Sequence, residues 1–376
     1  MIEAEIKHNK EINHLYIHVP FCKSKCGYCS FYSKEASDSD IDKYIAHIIK
    51  EIEFYQRNFV LNLNTIYFGG GTPSFINEEY VGKMLELLKP LDDCEITLEA
   101  NPADVTESKA EYWNKIKINR ISMGCQSMRD EELKYLGRRH NKASVIAAVH
   151  ILRSKGIENL SLDLIYGLPM QTTAEVKDSL GQLVELNPEH ISTYCLSLDE
   201  GCRLYSQKNK LPDEDKTSEM YFAIVDLLAA NGYKQYEISN FSKAGKESRH
   251  NLSYWQQKYY LACGPAAAGY LPGYRYQNPA DLNIWAEAIK NEEYFVNKDE
   301  ITPEIKESEY IMLYLRLADG IDLDHYRKKF KKDFRKKYAK ELAKYSELKL
   351  MAINDKRVKL SRAAYFISNE IIKDFI

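Results

Sequence analysis

Between residues 14 and 235 short apolar runs alternate with longer amphipathic ones. "HLYIHVPF" (14–21) reads as a strand and "DIDKYIAHIIKEIEFYQR" (40–57) as a helix. "NTIYFGGG" (64–71) is strand-like again, and "EEYVGKMLELLK" (78–89) is helical. "CEITLEANP" (94–102), "RISMGCQS" (120–127), "NLSLDLIYGLP" (159–169) and "HISTYCLSL" (190–198) continue the strand series, with helical patterns near 106–117, 142–155 and 173–187. Strands that are each followed by a helix predict a parallel sheet of α/β type, because parallel neighbours need crossovers long enough to hold a helix. Periodicity leaves open whether that sheet stays open, closes, or curls into a partial barrel.

Past 235 the pattern changes. Residues 236–278 are rich in aromatics and glycine ("YEISNFSKAGKESRHNLSYW", "CGPAAAGYLPGYRYQN") and read as extended structure or loops. From about 302 the chain turns helical and basic, and its last stretch reads as helix, short hairpin, helix, in the manner of a winged-helix unit. Three segments follow: 1–235 as the α/β domain, 236–300 as an aromatic and glycine-rich extension, and 301–376 as a basic helical domain.

The 55 acidic residues nearly balance the 52 basic ones, so bulk charge argues against a nucleic-acid partner. The start "MIEAEIKHNKEINHLY" has no apolar signal core, and no run is long and apolar enough to span a bilayer. The expectation is a cytoplasmic protein. In a reducing compartment, clustered cysteines read as metal ligands rather than disulfides. Three of the eight are clustered, Cys22, Cys26 and Cys29 in "CKSKCGYC"; the scattered Cys94, Cys125, Cys195, Cys202 and Cys263 read mostly as small core residues.

The chemistry of parallel α/β folds collects at the carboxyl ends of the strands. Here Tyr16, the run Gly69–Gly70–Gly71–Thr72, Glu99, Gln126, Asp163 and Tyr194 fall at or near those ends, on successive strands. Any one of them is most simply a satisfied core residue. Together they point to one small ligand, with glycines allowing close backbone approach. The cysteine loop follows the first strand, at the same end. Three thiolates on a cube of four irons leave one iron open to an outside ligand; a zinc site would instead recruit His18 as fourth ligand.

The C-x3-C-x2-C spacing of "CKSKCGYC", after a first strand and before "GGGTP", resembles radical S-adenosylmethionine enzymes. "YIHVPFC", "FGGGTPS", "RISMGCQS", "LGRRH", "DLIYGLPMQT", "YEISNF" and "HNLSYW" more narrowly resemble the oxygen-independent coproporphyrinogen III oxidase-like family, in its heme chaperone branch. The resemblance implies a partial six-stranded (β/α) barrel with a C-terminal mixed α+β extension. It implies a [4Fe–4S] cluster on Cys22, Cys26 and Cys29, and S-adenosylmethionine among Tyr16, Gly70, Gly71, Thr72, Glu99, Gln126, Arg138 and Asp163. Arg138, in the helical stretch "LGRRH", is the one member that the strand-end pattern does not reach.

Two features separate chaperones from oxidases. The oxidases have a fourth cysteine two residues after the third, where this chain has Phe31, and a longer arm before the cysteine loop. The implied function is a chaperone that binds heme as cargo and passes it to an acceptor hemoprotein, which the basic stretch Arg327–Lys344 would suit if that acceptor were membrane-associated. An electron donor is implied for the cluster, and a homodimer is compatible. The alternative is an enzyme acting on a tetrapyrrole, such as a coproporphyrinogen III dehydrogenase. In the chaperone branch "HNLSYW" is the heme motif, with His250 as candidate axial ligand and Tyr254 and Trp255 beside the porphyrin face. Its bland alternative is a loop histidine in an aromatic cluster. One departure stands out: "GPAAAG" (264–269) has Ala268 where the family has a histidine.

Overall fold

The protein is described here from a computed structural model over residues 11–376; residues 1–10, part of the stretch read as lacking a signal core, lie outside the described residues. The described residues divide into two compact units, one of residues 11–227 with 259–300, the other of 228–258 with 301–376. The segment 236–300 is thus shared between them at Lys258 and Tyr259.

The first unit is built on parallel strands β1 (Glu11–Val19), β2 (Val60–Gly70), β3 (Glu95–Ala100), β4 (Arg120–Gln126), β5 (Asn159–Tyr166) and β6 (His190–Cys195), each hydrogen-bonded to the next in chain order. A short strand β7 (Leu261–Cys263) adds in parallel outside β1, pairing Leu15 with Leu261. This neighbour comes from the segment read as loops. Crossovers carry helices α1 (Asp38–Asn58), α2 (Glu78–Leu88), α3 (Glu107–Lys115), α4 (Asp130–Leu136), α5 (Lys142–Ser154) and α6 (Thr173–Glu185). Their starts are set by local chemistry: the side chains of Ser37, Asn77, Thr106, Asn141 and Thr172 accept from the first-turn N–H groups of α1, α2, α3, α5 and α6.

Each strand shows a period of two. Leu15, Ile17 and Val19, Ile66 and Phe68, Ile96 and Leu98, Ile121 and Met123, and Leu160, Leu162 and Leu164 are buried and form the core with the helices. From α1 alone, Tyr44, Ile48, Ile52 and Tyr55 are buried, each worth about 1.5–3 kcal/mol of apolar transfer. The alternate positions are polar, whereas a parallel strand with two apolar faces would read as one hydrophobic run. That polar face carries the site. Beyond β7, Glu51 of α1 accepts hydrogen bonds from Gly264 N–H at 2.8 Å, Asn278 Nδ2 at 2.7 Å and Trp285 Nε1 at 3.2 Å, tying the "GPAAAG" turn to the barrel. Strands Ala268–Leu271, Tyr274–Gln277 and Asn297–Glu300 follow as an antiparallel sheet.

In the second unit, "HNLSYW" corrects the loop reading: it lies in a helix, Arg249–Trp255, capped by Ser248. The hairpin Met351–Ile353 with Arg357–Leu360 is present, with Ile321–Asp322 as a third strand and helices before and after, as a winged-helix-like tail requires. The basic stretch is not one helix. Leu323–Phe330 ends at Lys331 in a left-handed conformation, and helix restarts at Phe334–Lys337 and Ala339–Glu347. Its aromatics Tyr326, Phe330, Phe334 and Tyr338 pack on one another and on Tyr310 and Phe375.

Candidate S-adenosylmethionine and cluster site

Cys22 ends the two-residue strand Phe21–Cys22, which pairs with Lys34–Glu35, so the cysteine loop is closed at its base just after β1. Cys22 Sγ lies 3.3 Å from Thr72 Oγ1, and Arg138 Nη1 donates to Cys26 Sγ at 3.4 Å. Phe31 is 70% exposed. The loop is held from the far side by Gly27 N–H, which donates to the carbonyl of Leu136 at 3.0 Å.

Arg138 does not lie in a helix as expected. Helix α4 stops at Leu136 because Gly137 adopts a left-handed φ of 74°, and the chain turns back toward the sheet. This turn lets Arg138 donate through Nη2 to Gly124 O at 2.5 Å while its other arm meets Cys26.

The glycine run packs against protein rather than against open space. A Cβ on Gly70 would lie 2.5 Å from the His18 ring, and one on Gly71 would lie 2.7 Å from Phe21 O. Gly70 also has φ 108°, a region that other residues avoid. Gly70→Ala is therefore expected to destabilise the fold, by roughly 1–3 kcal/mol from the backbone alone, and to displace the N–H that Glu99 accepts. Thermal unfolding checks it: an unchanged midpoint contradicts this account.

Glu99 Oε1 accepts from Tyr67 OH at 2.8 Å, and Oε2 from Gly70 N–H at 3.1 Å. Burial pushes its carboxyl up to about 7, with the Tyr67 and Gly70 bonds opposing and the Asp163 charge adding. Burial likewise pushes Asp163 up to about 6, against the hydroxyls of Ser192 and Ser161 and the charges of Arg120 and Arg138. Tyr16, held neutral by burial and by Glu99, meets His18 Nδ1 through its hydroxyl at 3.0 Å. His18 Nε2 reaches Tyr32 O at 3.1 Å. Both imidazole nitrogens of His18 are engaged in hydrogen bonds. Among the described residues no three such side chains converge as ligands of one metal ion would; in an iron–sulfur cube each thiolate binds a different iron, so convergence is not required.

Three buried polar atoms at the mouth have no partner: Gln126 Oε1, Asp163 Oδ1 and Arg138 Nε. Gln126 also takes a left-handed φ of 70°, just past an irregularity in the β4–β5 register. Orphaned groups of this kind are costly unless a ligand completes them. Tyr194, the sixth strand's candidate, is 43% exposed. Of the scattered cysteines, Cys94, Cys125, Cys202 and Cys263 are buried and Cys195 is exposed.

His250 belongs to the second unit. It is fully buried, and its Nε2 lies 2.7 Å from Tyr254 OH. Ala268 begins its strand with an exposed side chain.

Residues 16–183 match the Radical SAM superfamily and residues 301–367 the HemN C-terminal domain. The heme chaperone HemW of Lactococcus lactis is 33% identical over 372 residues, spanning 97% of each chain. The chain belongs to the HemW family. The HemW of Bacillus subtilis is 32% identical over 96% of this chain and 98% of its own, and that of Haemophilus influenzae 40% over 68% and 70%. The fold is that of the coproporphyrinogen III oxidase HemN of Escherichia coli, a radical SAM enzyme, with a TM-score of 0.87 over 100% of this chain and 92% of that one, at 19% identity. Among the described residues no helix is long and apolar enough to cross a membrane.

The Radical SAM match over residues 16–183 implies a [4Fe–4S] cluster and S-adenosylmethionine. The orphaned atoms at the strand ends and the three loop cysteines fit those groups. Strand-end reading missed Tyr67, Arg120, Ser161, His190 and Ser192, which line the same face further down. Their signal was the period-two alternation in "NTIYFGG", "RISMGCQ", "NLSLDLIY" and "HISTYC".

Proposed function

We propose that the protein binds heme and transfers it to an acceptor hemoprotein, holding a [4Fe–4S] cluster on Cys22, Cys26 and Cys29 and S-adenosylmethionine at the strand ends. The observation that carries this reading is the near full-length match to a HemW relative, 97% of each chain. Thr72 and Arg138 orient the cysteine loop through Cys22 and Cys26. Glu99 and Asp163 supply carboxylates for an amino group, and Gln126 and Arg138 supply a free acceptor and a free donor. When bound, the cluster leaves one iron open for the amino and carboxylate groups of S-adenosylmethionine.

His250 is the candidate heme ligand. Its imidazole is buried and bonded to Tyr254, so ligation requires this helical turn to open and release Nε2. Cargo held this way is exchangeable, which suits a donor. His250→Ala is expected to abolish the Soret shift of stoichiometrically bound heme; heme bound as by the unaltered protein would remove this ligand.

The second reading, an enzyme acting on a tetrapyrrole, is favoured by the complete set of strand-end polar groups. One anaerobic sample assayed for both heme binding and coproporphyrinogen III consumption separates the two. Heme binding without consumption is expected, and turnover with loss of S-adenosylmethionine would make the chain an enzyme. The acceptor, an electron donor and a homodimer belong to the same proposal.

A further inference from the structure

Below the site, the polar face of the sheet holds a charge that the proposed function does not use. Arg120 opens β4, in register with Thr97 of β3 and Asn159 of β5, and Thr97 is in register with Tyr67 of β2. Its side chain is 1% exposed. Its Nε has no hydrogen-bond partner, and neither do Thr97 Oγ1 and Asn159 Oδ1 on either side. A guanidinium stays charged in a protein, and burying it without pairing is expensive. What it faces is the next row up: Glu99 aligned with Ser122, Ser122 with Ser161, and Asp163 two residues further along β5.

We propose that Arg120 is a positioning residue for S-adenosylmethionine, a fixed counter-charge beneath Glu99 and Asp163 that favours their anionic forms, which accept the ligand's donors. This rests on the S-adenosylmethionine site proposed above. Of the other groups facing the pair, only Arg138 carries a positive charge, and it adds to that of Arg120 on Asp163. Tyr16 and Tyr67 are kept neutral by burial, and His190 is kept neutral by burial and by Arg120 itself. Cys125 is kept neutral by burial and by Asp163. Arg138 acts on Asp163 but is engaged with Cys26 and Gly124. Burial pushes Glu99 up to about 7 and Asp163 up to about 6; the Asp163 charge raises Glu99 further, and Arg120 lowers both. Both therefore titrate close to neutrality. Loss of the positive charge raises them further, so each stays protonated to a higher pH, and a protonated carboxyl has lost an acceptor.

The test uses full-length, anaerobically reconstituted Arg120→Met and Arg120→Lys proteins, titrated with S-adenosylmethionine across about pH 5.5–9. The acid limb of the Arg120→Met affinity profile is expected to move up by about one pH unit or more, with about a tenfold loss of affinity near pH 7. Arg120→Lys is expected to restore most of both. An independent readout is the infrared carboxyl band of the protein without S-adenosylmethionine, assigned with Glu99→Gln and Asp163→Asn; it should shift in the same direction in Arg120→Met. An Arg120→Met profile superimposable on the unaltered one overturns the role of Arg120 alone. So does an Arg120→Lys protein that fails as Arg120→Met does with unmoved carboxyl bands, because that marks a packing role. No binding of S-adenosylmethionine to the unaltered protein overturns the site reading and this inference together.

Discussion

Alanine at Cys22, Cys26 or Cys29 is expected to leave anaerobically reconstituted protein without its cluster, against about four irons per chain in the unaltered protein. With three protein ligands there is no spare thiolate to take over, and Phe31 offers none at the next position. Cys26 also accepts the Nη1 hydrogen bond of Arg138, so its loss removes that tie as well and leaves the Gly27 N–H bond to Leu136 O. Cys94→Ala and Cys202→Ala, changes in buried core residues, should keep their iron. Iron and sulfide analysis with the visible spectrum decides the matter. Full iron in any of the three alanine proteins would exclude that cysteine as a ligand.

Glu99→Ala and Asp163→Ala are each expected to weaken S-adenosylmethionine binding by roughly 1–3 kcal/mol, about 5–150-fold, because each leaves a donor on the ligand unpaired. Glu99 also holds Gly70 N–H and Tyr67 OH, so its removal loosens the turn that carries the glycine run. The two carboxylates share one field, and the double variant should lose less than the sum of the two. The perturbation of the reduced cluster's EPR spectrum on adding S-adenosylmethionine reads the affinity. Unchanged affinity in both single variants would make the polar ring a feature of the core and not of a ligand site.

Much of this was legible in the chain itself. The six barrel strands and helices α1, α2, α3, α5 and α6 follow from apolar periodicity and from capping residues such as Ser37 and Thr172. The cysteine loop and the strand-end residues follow from spacing. Part of what escaped is non-local. Strand β7 is three residues long and is a strand only because β1 offers it an edge. Arg138 leaves its helix because Gly137 can turn left-handed, a choice that sequence permits without requiring. "HNLSYW" is helical because Ser248 caps it, yet its aromatic and asparagine content reads as loop. The glycines' missing side chains also make room for His18 and the Phe21 backbone, a packing role that spacing alone does not show.

The pairing of Leu15 with Leu261 has a consequence for how the chain is made. Synthesis proceeds at about 5–20 residues per second, so β1 and its cysteine loop emerge on the order of ten seconds or more before the strand that covers their outer edge. For that interval one row of β1 backbone donors and acceptors is uncovered, the kind of edge that recruits strands from other chains. A nascent chain stalled before Leu261 would hold all three cluster cysteines yet lack the strand that shields β1. Iron loaded at that stage would enter a cradle still missing its outer wall.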